Sequence, residues 1–489
     1  MEKSKLLRGT SADGILLTLI KLLTVLVSFA ITRLLSEHLT EYDYGTYSQI
    51  LLIVSTVSSV TILGMMDGVN YFFCGQRDVQ LRERYISTLF CLQCLVGTLA
   101  GTVLMLLTLF PGFENPEVRK LMIFAAVLPL LQNLLSMIQI LLVSVGKAKM
   151  LAARNLLIAL LRLLVVIIVV MRSKNVAVIL ITTLLLDVSQ VFFFLFILRR
   201  NQCGISLKKV TPRLAKQILI YCVPMGLFIM INTLNRDLDK YLILWLTDTE
   251  TLALYTNASK MLPFDVIMSS FCTVLLPQIT QRIAAGEKKK ATELYKLFLE
   301  IAYIPTTIMC CAVLAAAPQT MELLYSAKYL DGLPIFCVYV FVDMLRFMNI
   351  TLILSAAGKT KKLFLFGLVS LAANFLLNFL LYYLLGIVGP AVATLLVTFG
   401  SGLLILGSGA RELDSRLSHF FDLKYFLVFL AENVAALVLF SLLRQWLQNR
   451  GVHYLVILAA ICVLYCGVML LLHARHLIYT LKQVNKTTS

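Results

Sequence analysis

Apolar runs of about twenty residues, separated by short polar clusters, repeat along the whole chain. A helix needs about 20 residues to cross the ~30 Å hydrocarbon core of a bilayer. Runs at 12–35, 44–66, 85–109, 120–144, 150–171, 175–198, 214–246, 251–280, 291–317, 333–357, 362–385, 387–409, 424–444 and 453–474 reach that length. The pattern predicts an all-α polytopic membrane protein with about 14 transmembrane helices and no soluble domain between them.

Composition agrees with the pattern. Of 489 residues 60% are hydrophobic and only 14% charged, and the mean hydropathy is +0.89. A soluble domain is about half apolar and a quarter charged. The opening MEKSKLLRGTSADG is followed by an apolar run with no small-residue cleavage site, which predicts an uncleaved first span. Eleven cysteines are scattered, nine of them in apolar runs. Cys91 and Cys94 form a CxxC without a nearby His or second pair, so the cysteines read as small buried hydrophobes and not as a metal or redox site.

The net charge of +17 would suggest nucleic acid in a soluble protein. Its placement suggests topology instead. With a cytoplasmic N-terminus, 29 of the 43 Lys and Arg fall in cytoplasmic segments, 7 in the opposite loops and 7 inside spans. That asymmetry predicts both termini in the cytoplasm of a multi-pass cell-membrane protein, and nucleic acid is not needed as a partner.

The basic stretch RRNQCGISLKKVTPRLAK, residues 199–216, lies between spans six and seven. It suggests an N-terminal lobe at 1–198, a linker at 199–213, a C-terminal lobe at 214–409, and two additional helices with a tail at 410–489. Arg33 before YDYGTYSQ and Arg236 before LALYTNASK are a weak internal echo. Repeated halves around a midplane site are usual in secondary transporters, so two six-helix lobes around a central cavity are expected.

Candidate chemistry lies in the seven intramembrane cations Lys21, Arg33, Arg162, Arg236, Lys240, Lys260 and Arg346. Each costs about 2.5–3.5 kcal/mol to insert at mid-helix, so such residues normally face a protein-lined cavity. At 1.5 Å per residue, Lys21, Arg162, Lys260 and Arg346 are central, whereas Arg33, Arg236 and Lys240 lie where long side chains can snorkel. Asp187, Asp237, Asp239, Asp265, Glu300, Asp343 and Glu432 bring the interior close to neutral. Asp343 and Arg346 share a helix face and suggest a structural pair. Lys21 and Arg162 have no acid within helical reach, and Asp265 is poorly spaced for Lys260; these three are the strongest candidates for a phosphate. Pro224 and Pro263 interrupt backbone ladders at membrane depth. Asn374 and Asn378, one turn apart, suit a sugar or a neighbouring helix. No HExxH, paired-His or Walker lysine motif is present in the sequence, so neither an enzyme nor a cofactor is expected.

Several segments together resemble the polysaccharide and oligosaccharide flippases of the multidrug/oligosaccharidyl-lipid/polysaccharide exporter superfamily. ITRLLSEHLTEYDYGTYSQI resembles that family's first helix, acidic loop and Gly-x-Tyr start of helix two. YCVPMGLFIMINTLNRDLDKYLI resembles helix seven, and LALYTNASKMLPFDVIMSSFCTVLLPQITQ, with Pro277, helix eight. LLYSAKYLDGLPIF, AAGKTKK and NFLLNFLLYYLLGIVGPAVAT resemble later loops and turns. The resemblance implies transfer of an undecaprenyl-pyrophosphate-linked oligosaccharide between leaflets by alternating access, for surface polysaccharide synthesis. It further implies a polyprenyl-pyrophosphate-linked glycan and membrane lipids as partners, proton or sodium coupling, and glycosyltransferases and a polymerase nearby. Lys21, Arg33, Arg162, Arg236 and Lys260 become headgroup candidates, and Asp187 and Glu300 ion-coupling candidates. Rival readings are a lipid II flippase, a cation-coupled multidrug exporter, a non-transporting assembly protein and a sugar ligase. Buried cations disfavour the exporter, and the absence of a large loop disfavours the ligase.

Overall fold

The computed structural model describes residues 20, 23–62, 64, 65, 69, 79–108, 115–144, 148–200, 205, 206 and 209–488. Lys21, the first nineteen residues and part of the 199–213 segment lie outside them. The described residues are mostly helical, with no strand among them. In order the helices are α1 (23–38), α2 (Glu41–Thr61), α3 (Val79–Leu107), α4 (Pro116–Ala125), α5 (Leu128–Ser144) and α6 (Ala148–Arg172). Next come α7 (Val176–Arg200), α8 (Pro212–Leu246), α9 (Thr249–Ala258), α10 (Asp265–Ala284), α11 (Lys288–Ala315) and α12 (Ala317–Tyr325). The last six are α13 (Leu333–Leu345), α14 (Leu352–Ala356), α15 (Thr360–Leu385), α16 (Gly389–Glu412), α17 (Leu423–Asn449) and α18 (Tyr454–Thr488).

Among the described residues nine helical runs are long and apolar enough to cross a membrane, and ten if α4 and the 128–141 part of α5, bent by 40°, form one span. This is consistent with fourteen passes, because the run Thr360–Glu412 holds both α15 and α16. The eighth expected span is split into α9 and α10 by the non-helical stretch 259–264, which contains Pro263. By contrast, α8 continues through Pro224. Large apolar side chains stand exposed on α3, α6, α7, α15, α17 and α18, among them Leu99, Ile168, Phe192, Leu376, Leu439 and Leu471. In a chain of this composition, such surfaces face acyl chains.

Local chemistry sets the ends of the helices. Thr40 accepts the Asp43 N–H at the head of α2, where Glu41 and Asp43 also favour the positive dipole end. At the α15–α16 hairpin Gly386 adopts φ 61°. A Cβ on Gly389 would meet the Leu381 carbonyl oxygen at 2.0 Å, so the turn closes only around glycine.

The chain forms two compact units, residues 1–237 with 244–253, and 238–243 with 254–489. In the first, Met65, Leu89, Ile138, Leu141, Phe194 and Cys222 belong to one buried apolar cluster. Polar bonds tie α2 to α5: Ser58 to Gln132 at 2.8 Å, and Asn133 to Thr61 at 2.6 Å. In the second, α11 is the most enclosed span, packed against α10, α13, α17 and α18.

Asn115 caps α4, accepting the Glu117 and Val118 amides. It also accepts from the Tyr42 hydroxyl and donates to Thr46 and Thr249. Asn115→Ala should lower stability by about 2 kcal/mol, one cap plus stranded buried partners, read as a lower unfolding midpoint in detergent. Asp248, in the loop before α9, accepts the Thr251 N–H at 2.7 Å, and that bond holds its carboxyl below the usual range. A depressed carboxyl stabilises above its unfolded value, near 3.9, and its contribution disappears as pH falls through the folded value. Asp248→Ala should therefore cost about 1 kcal/mol at neutral pH, a gap that shrinks on acidification below that range.

Candidate substrate site

A cavity of about 520 Å³ opens within the first unit, walled by residues of α1, α5, α6 and α7. Its polar wall includes Gln132, Gln139, Arg154, Asn155, Arg162, Asp187 and Gln190. On α6, positions 154, 155, 158, 159 and 162 form one stripe at helical spacing. Asp187 and Gln190 sit three apart on the facing helix α7.

These side chains form a connected network. Arg162 Nη2 donates to Asp187 Oδ1, and Gln190 Nε2 donates to the same oxygen at 3.0 Å. Arg154 Nη2 donates to Gln190 Oε1 and Nη1 to Asn155 Oδ1, the latter at 2.7 Å. The Arg154 guanidinium also lies 4.3 Å from the centre of the Phe194 ring. Arginine can only donate and an ionised carboxylate can only accept. Gln190 and Asn155 therefore turn their oxygens toward Arg154. Asn155 keeps its NH₂ available, and the Nε–H groups of Arg154 and Arg162 are buried without an acceptor. Two guanidiniums and one carboxylate leave the network at +1, offering donors. Tyr47 on α2 interacts electrostatically with both Arg162 and Asp187. An acceptor-rich anion matches this wall; a cationic ligand does not.

Of the residues expected from sequence, the structure brings Arg162 and Asp187 together in this wall. Arg162 lacks an acid on its own helix, and its partner comes from the next one. Asp187 is 2% exposed and Arg162 39%. Arg33 pairs with Glu37 one turn on, at 3.1 Å. Arg236 pairs with its neighbour Asp237 at 2.8 Å and remains 52% exposed, although helical spacing alone suggests that they diverge. Neither Arg33 nor Arg236 lines the cavity. Lys21 lies outside the described residues.

Lys260 and Glu300 belong to the second unit. Lys260 sits in the 259–264 break, within electrostatic range of Lys240. Glu300 is enclosed between α11 and α18, where its Oε2 lies 3.1 Å from His476 Nε2 and accepts from Thr480 at 2.8 Å. Asp343 and Arg346 pair at 3.5 Å, as their spacing suggests. Asp343 also accepts the Leu262 N–H, at 2.8 Å, in the broken span. Arg154 also lines the cavity, although by sequence it counts with the cytoplasmic basic segment at 147–154 and not with the intramembrane cations; its signal is the polar stripe it shares with Asn155 and Arg162.

The chain is thus a bundle of apolar helices with a cationic, donor-lined cavity in its first unit. The chain belongs to the polysaccharide biosynthesis protein family, whose model matches residues 30–334. No curated protein matches it. Among solved structures it is similar to the lipid II flippase MurJ in an inward closed conformation, with TM-score 0.71, 14% identity, 95% of this chain and 100% of that one. It is also similar to a multidrug resistance MATE family transporter of the MOP superfamily in an outward-facing conformation, with TM-score 0.58, 14% identity, 82% of this chain and 94% of that one. A transporter of the same superfamily from Pyrococcus furiosus gives TM-score 0.58 at 12% identity over 82% and 94%. The fold is the one these solved structures share.

Proposed function

We propose that the chain moves a polyprenyl-pyrophosphate-linked oligosaccharide across the cytoplasmic membrane for surface polysaccharide synthesis, by alternating access of lobes at 1–198 and 214–409. The observation that carries this reading is the pair of buried, acceptorless Nε–H donors of Arg154 and Arg162 in the +1 wall. Pyrophosphate supplies acceptor oxygens and negative charge, and arginine binds such groups in a fork geometry. On arrival the anion competes with Asp187 for Arg162, so Asp187 becomes the group that exchanges partner and is available to a coupling ion. Lys21, Arg33, Arg236 and Lys260 are further headgroup candidates, and Glu300 is the second coupling candidate. Polymerase and glycosyltransferases are the natural partners of such a step.

The test is reconstitution in liposomes with a sugar-labelled undecaprenyl-pyrophosphate-linked oligosaccharide, scoring loss of label protection after leaflet exchange. Exchange above protein-free liposomes supports the reading, and its absence for every glycan length tried rejects it. The lipid II alternative shares the pyrophosphate and is separated by complementation. Restored growth of cells depleted of their lipid II flippase would favour lipid II as the cargo, whereas restored surface polysaccharide favours the polysaccharide precursor.

A further inference from the structure

The cavity of the first unit has a neutral wall as well as a cationic one. Its lining from α1 and α5 includes Thr24, Ser28, Gln132, Ser136 and Gln139, and among the described residues no lining position on those two helices is charged. Arg154, Arg162 and Asp187 come from α6 and α7 instead. Positions 132, 136 and 139 follow helical spacing and share one face of α5. Gln132 and Gln139 stand two turns apart, about 10 Å along the axis, a reach that suits an extended ligand.

The hydrogen-bonding capacity of this wall is largely open. Among the described residues Gln139 and Ser28 make no side-chain hydrogen bond to protein. Gln132 accepts from Ser58 at 2.8 Å, which leaves its NH₂ to donate. Thr24 donates to the Ile20 carbonyl and Ser136 to the Gln132 carbonyl, both at 2.8 Å, so each hydroxyl oxygen can still accept. Donors and acceptors are therefore offered side by side. Phosphate oxygens only accept, and would leave Gln139 Oε1 and the Thr24 and Ser136 oxygens without a partner. A carboxylate would also only accept, and an ammonium would meet the +1 charge of the arginine wall. A hydroxyl both donates and accepts. Ile31, Leu135 and Ile158 lie between the polar positions, a mixture that matches the C–H and O–H edges of a sugar ring.

We infer that the α1–α5 wall holds a neutral, hydroxyl-rich sugar, with Gln139 as its main contact. Its place beside the pyrophosphate rests on the flippase reading above. Arg154 and Arg162 then hold the charge common to every such cargo, whereas Gln132, Gln139 and Ser28 select the sugar. A site built to hydrogen-bond a ligand hydroxyl rejects an analogue lacking it, because its own polar groups are left unpaired.

The test is isothermal titration calorimetry of the full chain in detergent with two compounds of equal charge, methyl diphosphate and a hexose 1-diphosphate. The wild type should bind the hexose compound about tenfold more tightly. Gln139→Leu should close that gap, whereas Arg154→Lys should weaken both compounds. The matching hexuronic acid compound should bind less tightly than the hexose despite its extra negative charge. Ser28 is exposed, so Ser28→Ala, which should narrow the gap, remains informative where Gln139→Leu fails to fold. Equal affinity of the wild type for the methyl and hexose compounds, or an undiminished gap in the variants, would overturn the sugar wall. A hexuronic acid bound as tightly as the hexose would overturn its preference for a neutral ring. A wild type that prefers the hexose compound yet exchanges no labelled lipid in liposomes would uphold the wall and reject the flippase reading. Lipid exchange without that preference would do the reverse.

Discussion

Arg162→Met should destabilise the protein and abolish transport together, whereas adding Asp187→Leu should recover stability alone. Asp187 is 2% exposed, and its Oδ1 accepts from both Arg162 and Gln190. Removing the cation strands a buried carboxylate at a cost of about 3 kcal/mol, at the low end for such pairs because Arg162 keeps 39% of its side-chain exposure. An apolar pair of similar volume is close to neutral for folding. It offers an anion nothing, and losing one charge contact costs about 2 kcal/mol or more, roughly 30-fold or more in rate. Unfolding midpoints in detergent and the liposome assay read the two effects separately. Wild-type exchange by the double variant would remove Arg162 from the substrate path.

Arg154→Lys should be nearly as damaging to transport as Arg154→Ala, a loss of about 10- to 100-fold. Arg154 spends two nitrogens on Asn155 and Gln190, stacks on Phe194, and keeps a third donor buried and unmatched. A lysine ammonium has no planar fork with which to do all of this. A residue that only sets membrane orientation would tolerate lysine, because the positive-inside rule counts charge and not geometry. Accessibility of introduced loop cysteines should show the same orientation in both variants while exchange falls. Full activity in Arg154→Lys would return the residue to a topological role.

Helical spans were legible because about twenty apolar residues in a row have few alternatives. The Asp343–Arg346 pair was legible because residues three apart share a helix face. The Arg162–Asp187 contact was not read, since helical spacing looks only along one helix. It could have been found by depth. The α6–α7 turn lies at 173–175, and the two residues stand about equally far before and after it. Arg154 was masked by its own charge, counted with the basic loop it follows. Arg236, 52% exposed, pairs with its sequence neighbour Asp237, a contact that helical spacing does not suggest.

The break at 259–264 has a mechanical corollary. The Leu262 amide depends for its acceptor on Asp343, a carboxylate mounted on α13. Sliding α13 lengthwise by one turn, about 5.4 Å, would leave that amide dry inside the bundle. The broken stretch and α13 are thereby pinned axially, free to tilt about the pin but not to shear.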